Sequence, residues 1–111
     1  MITDSSASPL RIVVRADHDT VTVALGGEFD LNAAPQFSSC ADEVVAHRIA
    51  KVVIDLADLT FIDSSGIAAL VDLHRRLNAS GRRLRVVNVG VQPAGVFDLT
   101  GLSETFADDD Q

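Results

Sequence analysis

The densest reactive chemistry of the chain lies in residues 52–77, VVIDLADLTFIDSSGIAALVDLHRRL. Asp63-Ser64-Ser65-Gly66 packs one carboxylate and two hydroxyls into three consecutive positions, just ahead of an apolar helical pattern. Backbone amides of a first helical turn have no partner inside the helix and carry partial positive charge. An Asp or Ser in such a place can serve purely as a cap. Yet the cluster holds more oxygen than a cap requires. Leu59 with Phe61 or Ile62 would anchor the preceding loop and hold the turn in a fixed place. A phosphoryl group on a serine of that turn would bring about 1.5 to 2 negative charges. A helix N-terminus tolerates such charge, whereas a protein pressed against the turn would be repelled.

Other chemistries fit less well. Hydrolysis through Ser64 would need a base beside it and an oxyanion hole. His18 falls in a turn and His47 at a helix end. His74 lies on the same helix as Ser64, about 15 Å further along its axis. No Gly-x-Ser-x-Gly elbow is present. Asp55 ends a buried strand, as the aspartate of a receiver domain does. No acidic pair follows the first strand to hold Mg²⁺, however, and no lysine follows Asp55. Asp55 therefore reads as a strand-end residue bonded to nearby backbone. Gly26-Gly27 is not followed by Gly-Lys-Ser or Gly-Lys-Thr, so it is no phosphate loop. Asp58, Asp63 and Asp108–Asp110 lack calcium-loop spacing. Cys40 is the only cysteine, which excludes an internal disulfide, and it reads as a small buried hydrophobe on the apolar side of a helix.

Composition narrows the partners. The chain has 111 residues, 47% of them hydrophobic, with 9 basic against 16 acidic side chains and a net charge of −7. That balance suits neither nucleic acid nor an anionic membrane surface. Trp and Tyr are absent, so flat aromatic platforms are scarce. No apolar run approaches the roughly 18 residues of a membrane span. No basic region followed by a long apolar core marks a secretory signal. One soluble cytoplasmic domain, a monomer when free, is the expectation.

The elements that must position the turn follow from periodicity. Residues 1–9 (MITDSSASP) read as a flexible leader. Leu10–Ala16 alternates, with Leu10, Ile12 and Val14 on one face, and Val21–Leu25 alternates again; the pair reads as a hairpin. Gly26-Gly27 is expected to break the second strand. Asn32 is placed to cap a helix from Ala33 to about His47, with Pro35 in its first turn. Lys51–Leu56 reads as a strand buried on both faces and Ala57–Asp63 as a loop. The next helix shows Ile67, Leu70, Val71, His74 and Leu77 on one face, with Gly81 in its left-handed stop. Leu84–Val89 is a further strand, and Pro93 opens a third helix carrying Val96, Phe97 and Leu99 and closed by Gly101. The order β-β-α-β-α-β-α predicts an α/β domain with a mixed, mostly parallel sheet of about four to five strands.

Three pieces of the chain resemble the STAS domain, specifically the bacterial anti-sigma factor antagonists: Gly27-Glu28-Phe29-Asp30, the stretch VVIDLADLTFIDSSG, and Phe97-Asp98-Leu99-Thr100-Gly101-Leu102. The match spans about residues 10–107 and leaves 108–111 as an acidic tail. The resemblance implies a non-enzymatic switch that needs no cofactor and no metal. In its unphosphorylated form such a protein binds an anti-sigma factor that is also a serine kinase, and so releases the sigma factor. Phosphorylation ends the complex and a serine phosphatase resets it. Carried onto this chain, Ser64 is the phospho-acceptor, with Ser65 as the alternative; Asp63 is its acidic neighbour. Asp30, Asp63, Ser64, Ser65 and Gly66 form the partner-binding face. The other reading within the family is an unphosphorylated STAS scaffold in a signalling or lipid-transport complex. Many members continue past the Gly-Leu ending with a strand and a helix, so a final helix is in question for Ser103–Ala107.

Overall fold

Alternation of apolar and polar residues makes two antiparallel strands, β1 (Leu10–Asp17) and β2 (Thr20–Phe29), joined by the two-residue turn His18-Asp19 with His18 at φ 56°. The structure, a computed structural model, describes residues 10–106; the leader expected over 1–9 and the tail over 108–111 lie outside the described residues. A short 3-10 turn, Leu31–Ala33, leads into α1 (Ala34–Ala46). Then follow β3 (Lys51–Ile62), α2 (Ser64–Ala79), β4 (Arg83–Val87), α3 (Val91–Thr100) and the single turn α4 (Leu102–Thr105). The sheet has four strands in the order β1-β2-β3-β4, with β3 parallel to both β2 and β4. The α/β class and the mixed sheet are as expected.

Burial follows the pleat. Val21, Val23 and Leu25 of β2, Val52, Ile54 and Leu56 of β3, and Leu84 and Val86 of β4 form one buried face. Phe37, Ala41 and Val44 of α1 and Ile67, Leu70, Leu73 and Leu77 of α2 complete the core. Burying a side chain of this size stabilises by about 1.5–3 kcal/mol.

Four sequence expectations are corrected. Gly26-Gly27 does not end β2, which runs on to Phe29 through register shifts against β3. Ala57–Asp63 is not a loop, because β3 continues to Ile62. Asp55 pairs with Ala24 but Gly26 pairs with Asp58, and Gly27 pairs with Leu59 but Glu28 with Phe61. Each shift adds one residue to β3, as a β-bulge does. The buried positions then fall at Leu56, Leu59 and Ile62, three apart, which breaks the period of two. Asn32 is not a cap: α1 follows Ala33 with no side-chain cap, and Asp30 caps the preceding 3-10 turn, its Oδ1 accepting from the Ala33 amide at 3.3 Å. On α2, Leu73 is buried where Val71 was expected, Val71 being only half-buried.

Smaller differences sit at the ends. β4 stops at Val87, because Asn88 takes a positive φ of 59°. α3 begins two residues before Pro93, with Gly90 at its cap, and Leu99 is 89% exposed. Gly81 and Gly101, both at φ 77°, close α2 and α3 as expected. The final helix amounts to one turn, pinned by Phe106, whose ring lies 5.4 Å from Phe97 and 5.7 Å from His74.

Candidate functional site

The strand β3 delivers the Asp-Ser-Ser-Gly turn to the carboxyl end of the sheet. Asp63 is the cap of α2, with extended backbone at φ −115°. Its Oδ1 accepts from the amides of Ser65 (2.9 Å) and Gly66 (3.2 Å). The cap expectation and the functional expectation therefore fall on different residues: Asp63 satisfies the helix amides, and the serines are left over. Ser64, the first residue of the 16-residue helix, is exposed, while Ser65 is half-buried. Neither hydroxyl makes a hydrogen bond to another described residue. A phosphoryl group on Ser64 Oγ would sit at the positive end of the helix dipole.

Three contacts fix the turn. The Asp63 amide donates to the Phe29 carbonyl at 3.2 Å. The Gln92 side chain pairs with both backbone groups of Ile62: the Ile62 amide donates to Oε1 at 2.9 Å, and Nε2 donates to the Ile62 carbonyl at 3.1 Å. Gly66 is buried against Phe29 and Ile62; a Cβ there would come within 2.6 Å of Ile62 Cγ1 and 2.8 Å of the Phe29 carbonyl oxygen. Only glycine lets the first turn of α2 lie this close to β2. Asp30, the residue after Phe29, is half-buried and caps its own short turn. The structure thus brings Asp30, Asp63, Ser64, Ser65 and Gly66 to one end of the sheet.

Sequence reasoning missed two parts of this end. Gln92 was not singled out, since one amide in a helical first turn carries no signal of its target. The apolar rim was missed as well. Leu31 is 70% exposed and follows Asp30, and Val91 is 94% exposed and precedes Gln92. Phe61, 40% exposed, faces outward where the bulges of β3 turn it from the core. Exposed apolar groups grouped beside polar ones mark contact surfaces.

The remaining candidates lie elsewhere. His74 packs edge-on against Phe106, far along α2 from Ser64. Asp55 Oδ1 accepts from the Ala57 amide (2.9 Å) and from Asn88 Nδ2 (3.0 Å), which accounts for it as a structural residue. Cys40 is half-buried on α1, and burial first, then the charge of Glu43, pushes its thiol pKa up. No helix among the described residues is long and apolar enough to cross a membrane.

Comparison with known proteins points the same way. The chain is 35% identical over 95 residues to the anti-sigma-F factor antagonist RsfB of Mycobacterium tuberculosis, covering 85% of this chain and 77% of that one. An anti-sigma factor antagonist from Mycobacterium paratuberculosis superposes with a TM-score of 0.81 at 28% identity, over 88% of this chain and 83% of its own. The Bacillus cell fate determinant SpoIIAA in its phosphorylated form shares the fold, with a TM-score of 0.70 at 24% identity over 85% and 86% of the two chains. Residues 11–109 match the model of the STAS domain, and with the serine turn, the β3 bulges and the four-stranded sheet in place, the chain belongs to the STAS domain family.

Proposed function

We propose that this protein is an anti-sigma factor antagonist switched by phosphorylation of Ser64. Unphosphorylated, it docks the end of the sheet that carries Asp30, Ser64, Leu31 and Val91 against an anti-sigma factor in the cytoplasm, and the sigma factor is released. The anti-sigma factor also acts as a serine kinase. The γ-phosphoryl group of ATP passes to Ser64 Oγ as the β–γ bridging P–O bond breaks, ADP leaves and the hydroxyl proton is lost. A serine phosphatase reverses the modification. The protein itself catalyses nothing.

One observation carries the reading: an exposed hydroxyl at the first position of α2, bonded to no other described residue, on a turn held by the cap of Asp63, at the end of the sheet that also exposes Leu31 and Val91. Ser64 is the better acceptor than Ser65 because it is the more exposed. Phosphoryl charge at the centre of a docked surface costs desolvation and repulsion. A loss of about 3 kcal/mol weakens binding by roughly 100-fold, enough to empty the complex. The fold is unaffected, since the helix dipole receives the charge. That SpoIIAA, of the same fold, has a phosphorylated form supports this tolerance.

The test is incubation with the anti-sigma factor of the same cell and Mg-ATP. A gain of about 80 Da (one phosphate) is expected in the wild type and none in Ser64→Ala, with Ser64→Asp binding the anti-sigma factor at least about tenfold more weakly. Equal affinity of Ser64→Asp and wild type would sink the switch.

A further inference from the structure

Among the described residues, β1 is the least covered strand of the sheet. It lies at the edge, and Val13 and Val14, on opposite faces, are 55% and 49% exposed. Val14 shares a face with Leu10 and Ile12, but α1 leaves it half uncovered. Beside it a cavity of about 290 Å³ opens between β1 and α1, lined by Val14, Ala16, Val21, Cys40, Val44 and Ile49. The direction of the backbone groups follows from the hairpin. In a two-residue hairpin the closing pair, here Asp17 and Thr20, is hydrogen-bonded. Odd-numbered residues of β1 then face β2, and Ile12, Val14 and Ala16 point their N–H and C=O groups outward. Leu10 agrees, since its carbonyl accepts from Gln36 Nε2 of α1 at 3.1 Å.

We propose that β1 pairs antiparallel with β1 of a second copy, about a two-fold axis at Val14. This pairing departs from the monomer expected from sequence and is independent of the Ser64 switch. Charge and strand length together select the register. Centring on Ile12 makes no charge pair and needs the Leu10 carbonyl that Gln36 already occupies, and centring on Ala16, although it sets Arg15 opposite the partner's Asp17, runs Val14 against the turn residue His18 and loses outward backbone pairs. Centring on Val13 sets Arg11 opposite the partner's Arg15, and centring on Arg15 sets that guanidinium against its own copy. Centring on Val14 sets Arg11 opposite the partner's Asp17 at both ends, and opposite charges directly across a strand pair attract. Arg11, which lies over Gly26 in the single copy, is exposed and free to rotate to this position. The same register brings the outward backbone groups into about six hydrogen bonds: Ile12 with Ala16, Val14 with Val14, and Ala16 with Ile12. Size matches too. The larger Ile12 of each copy lies beside the small Ala16 of the other, at the mouth of the apolar cavity. The two Ser64 turns stay open, because they lie at the opposite end of the sheet from the hairpin turn.

Two short strands bury less than the roughly 1,200 Å² of a standard interface, so the dimer is weak and concentration-dependent. Sedimentation velocity on the full chain, from about 10 µM to about 1 mM, is expected to show monomers converting to dimers. Val14→Lys, which sets two ammonium groups together at an already exposed site, should leave only monomer. Arg11→Asp should weaken the dimer about tenfold, and Arg11→Asp with Asp17→Arg should restore it. Amide exchange at Ile12, Val14 and Ala16 should slow with concentration while that at Val13 does not change. A wild type that stays monomeric to about 1 mM, a dimer indifferent to Val14→Lys, a double variant no better than Arg11→Asp, or outward amides that gain no protection would each overturn the proposal.

Discussion

The amide of Asp63 donates to the carbonyl of Phe29 at 3.2 Å, and this bond joins the residue before Ser64 to the residue before Asp30. Two loops from different strands therefore share one frame. Neither can shift without stretching the other, and a partner docking across both meets a preformed surface. The rigidity matters for a switch: if the turn were loose, a charge on Ser64 could swing away from the interface instead of opening it.

The cap is the first place to probe this frame. Asp63→Ala removes the acceptor for the Ser65 and Gly66 amides. Loss of a cap costs about 1 kcal/mol, which in a domain of this size lowers Tm by about 4–8 °C. Asp63→Asn keeps an acceptor oxygen and should lose much less. Thermal denaturation of the pair decides the point; equal melting of Asp63→Ala and wild type would mean the carboxylate does not hold the turn.

Gly66→Ala tests the close approach of α2 to β2. In an open helix the change would stabilise by about 1 kcal/mol. Here the added methyl meets the Phe29 carbonyl oxygen at 2.8 Å and Ile62 Cγ1 at 2.6 Å. Backbone oxygen cannot rotate away, and overpacking of this kind costs about 1–3 kcal/mol. A net loss of stability in urea titration is expected. A gain would show that the two segments separate at little cost.

The apolar rim should separate binding from folding. Leu31 and Val91 are 70% and 94% exposed, so replacing either with Asp should change stability by no more than about 0.5 kcal/mol. If the rim seals the docking surface, each change weakens binding of the anti-sigma factor by about tenfold or more, measured by titration calorimetry. Full affinity in both variants would move the interface away from this end.

The bounds of α2 are legible in the sequence because their signals are local, an acidic cap and a terminal glycine at Gly81, whereas its apolar period leaves Val71 and Leu73 to be told apart by packing. The serine turn was legible for the same reason. β3 was not, because two inserted residues moved Leu59 and Ile62 off the period of two, and the strand beyond Leu56 looked like a loop. The cap ahead of α1 is misplaced for a similar reason: Asn32 and Asp30 are both good cap types, but β2 ends at Phe29, so Asp30 caps the intervening 3-10 turn and α1 follows with no side-chain cap. Contacts made across the chain, such as Gln92 with Ile62, leave no pattern in their own neighbourhood. Nor does periodicity reveal that α1 leaves Val14 uncovered, since alternation marks a face without saying how far a helix extends over it.

Cys40 offers a test of the α1 surface by pH. Burial, and next the nearby carboxylate of Glu43, disfavour the thiolate and hold its pKa above the ordinary thiol value. Alkylation by iodoacetamide proceeds through the thiolate, so at pH 8 the native protein should react more slowly than the urea-unfolded chain. Glu43→Gln removes the smaller cause; its rate profile should shift to lower pH without reaching that of the unfolded chain. The sign for stability follows from linkage. The folded state keeps the proton longer, so the contribution of the protonated thiol is intact below the unfolded pKa. It is lost as pH rises through the folded pKa, because the unfolded chain ionises first. Urea midpoints should therefore fall more steeply across alkaline pH in the wild type than in Cys40→Ala. Parallel curves for the two proteins, together with native alkylation as fast as unfolded, would show that Cys40 is not desolvated against the edge of the core.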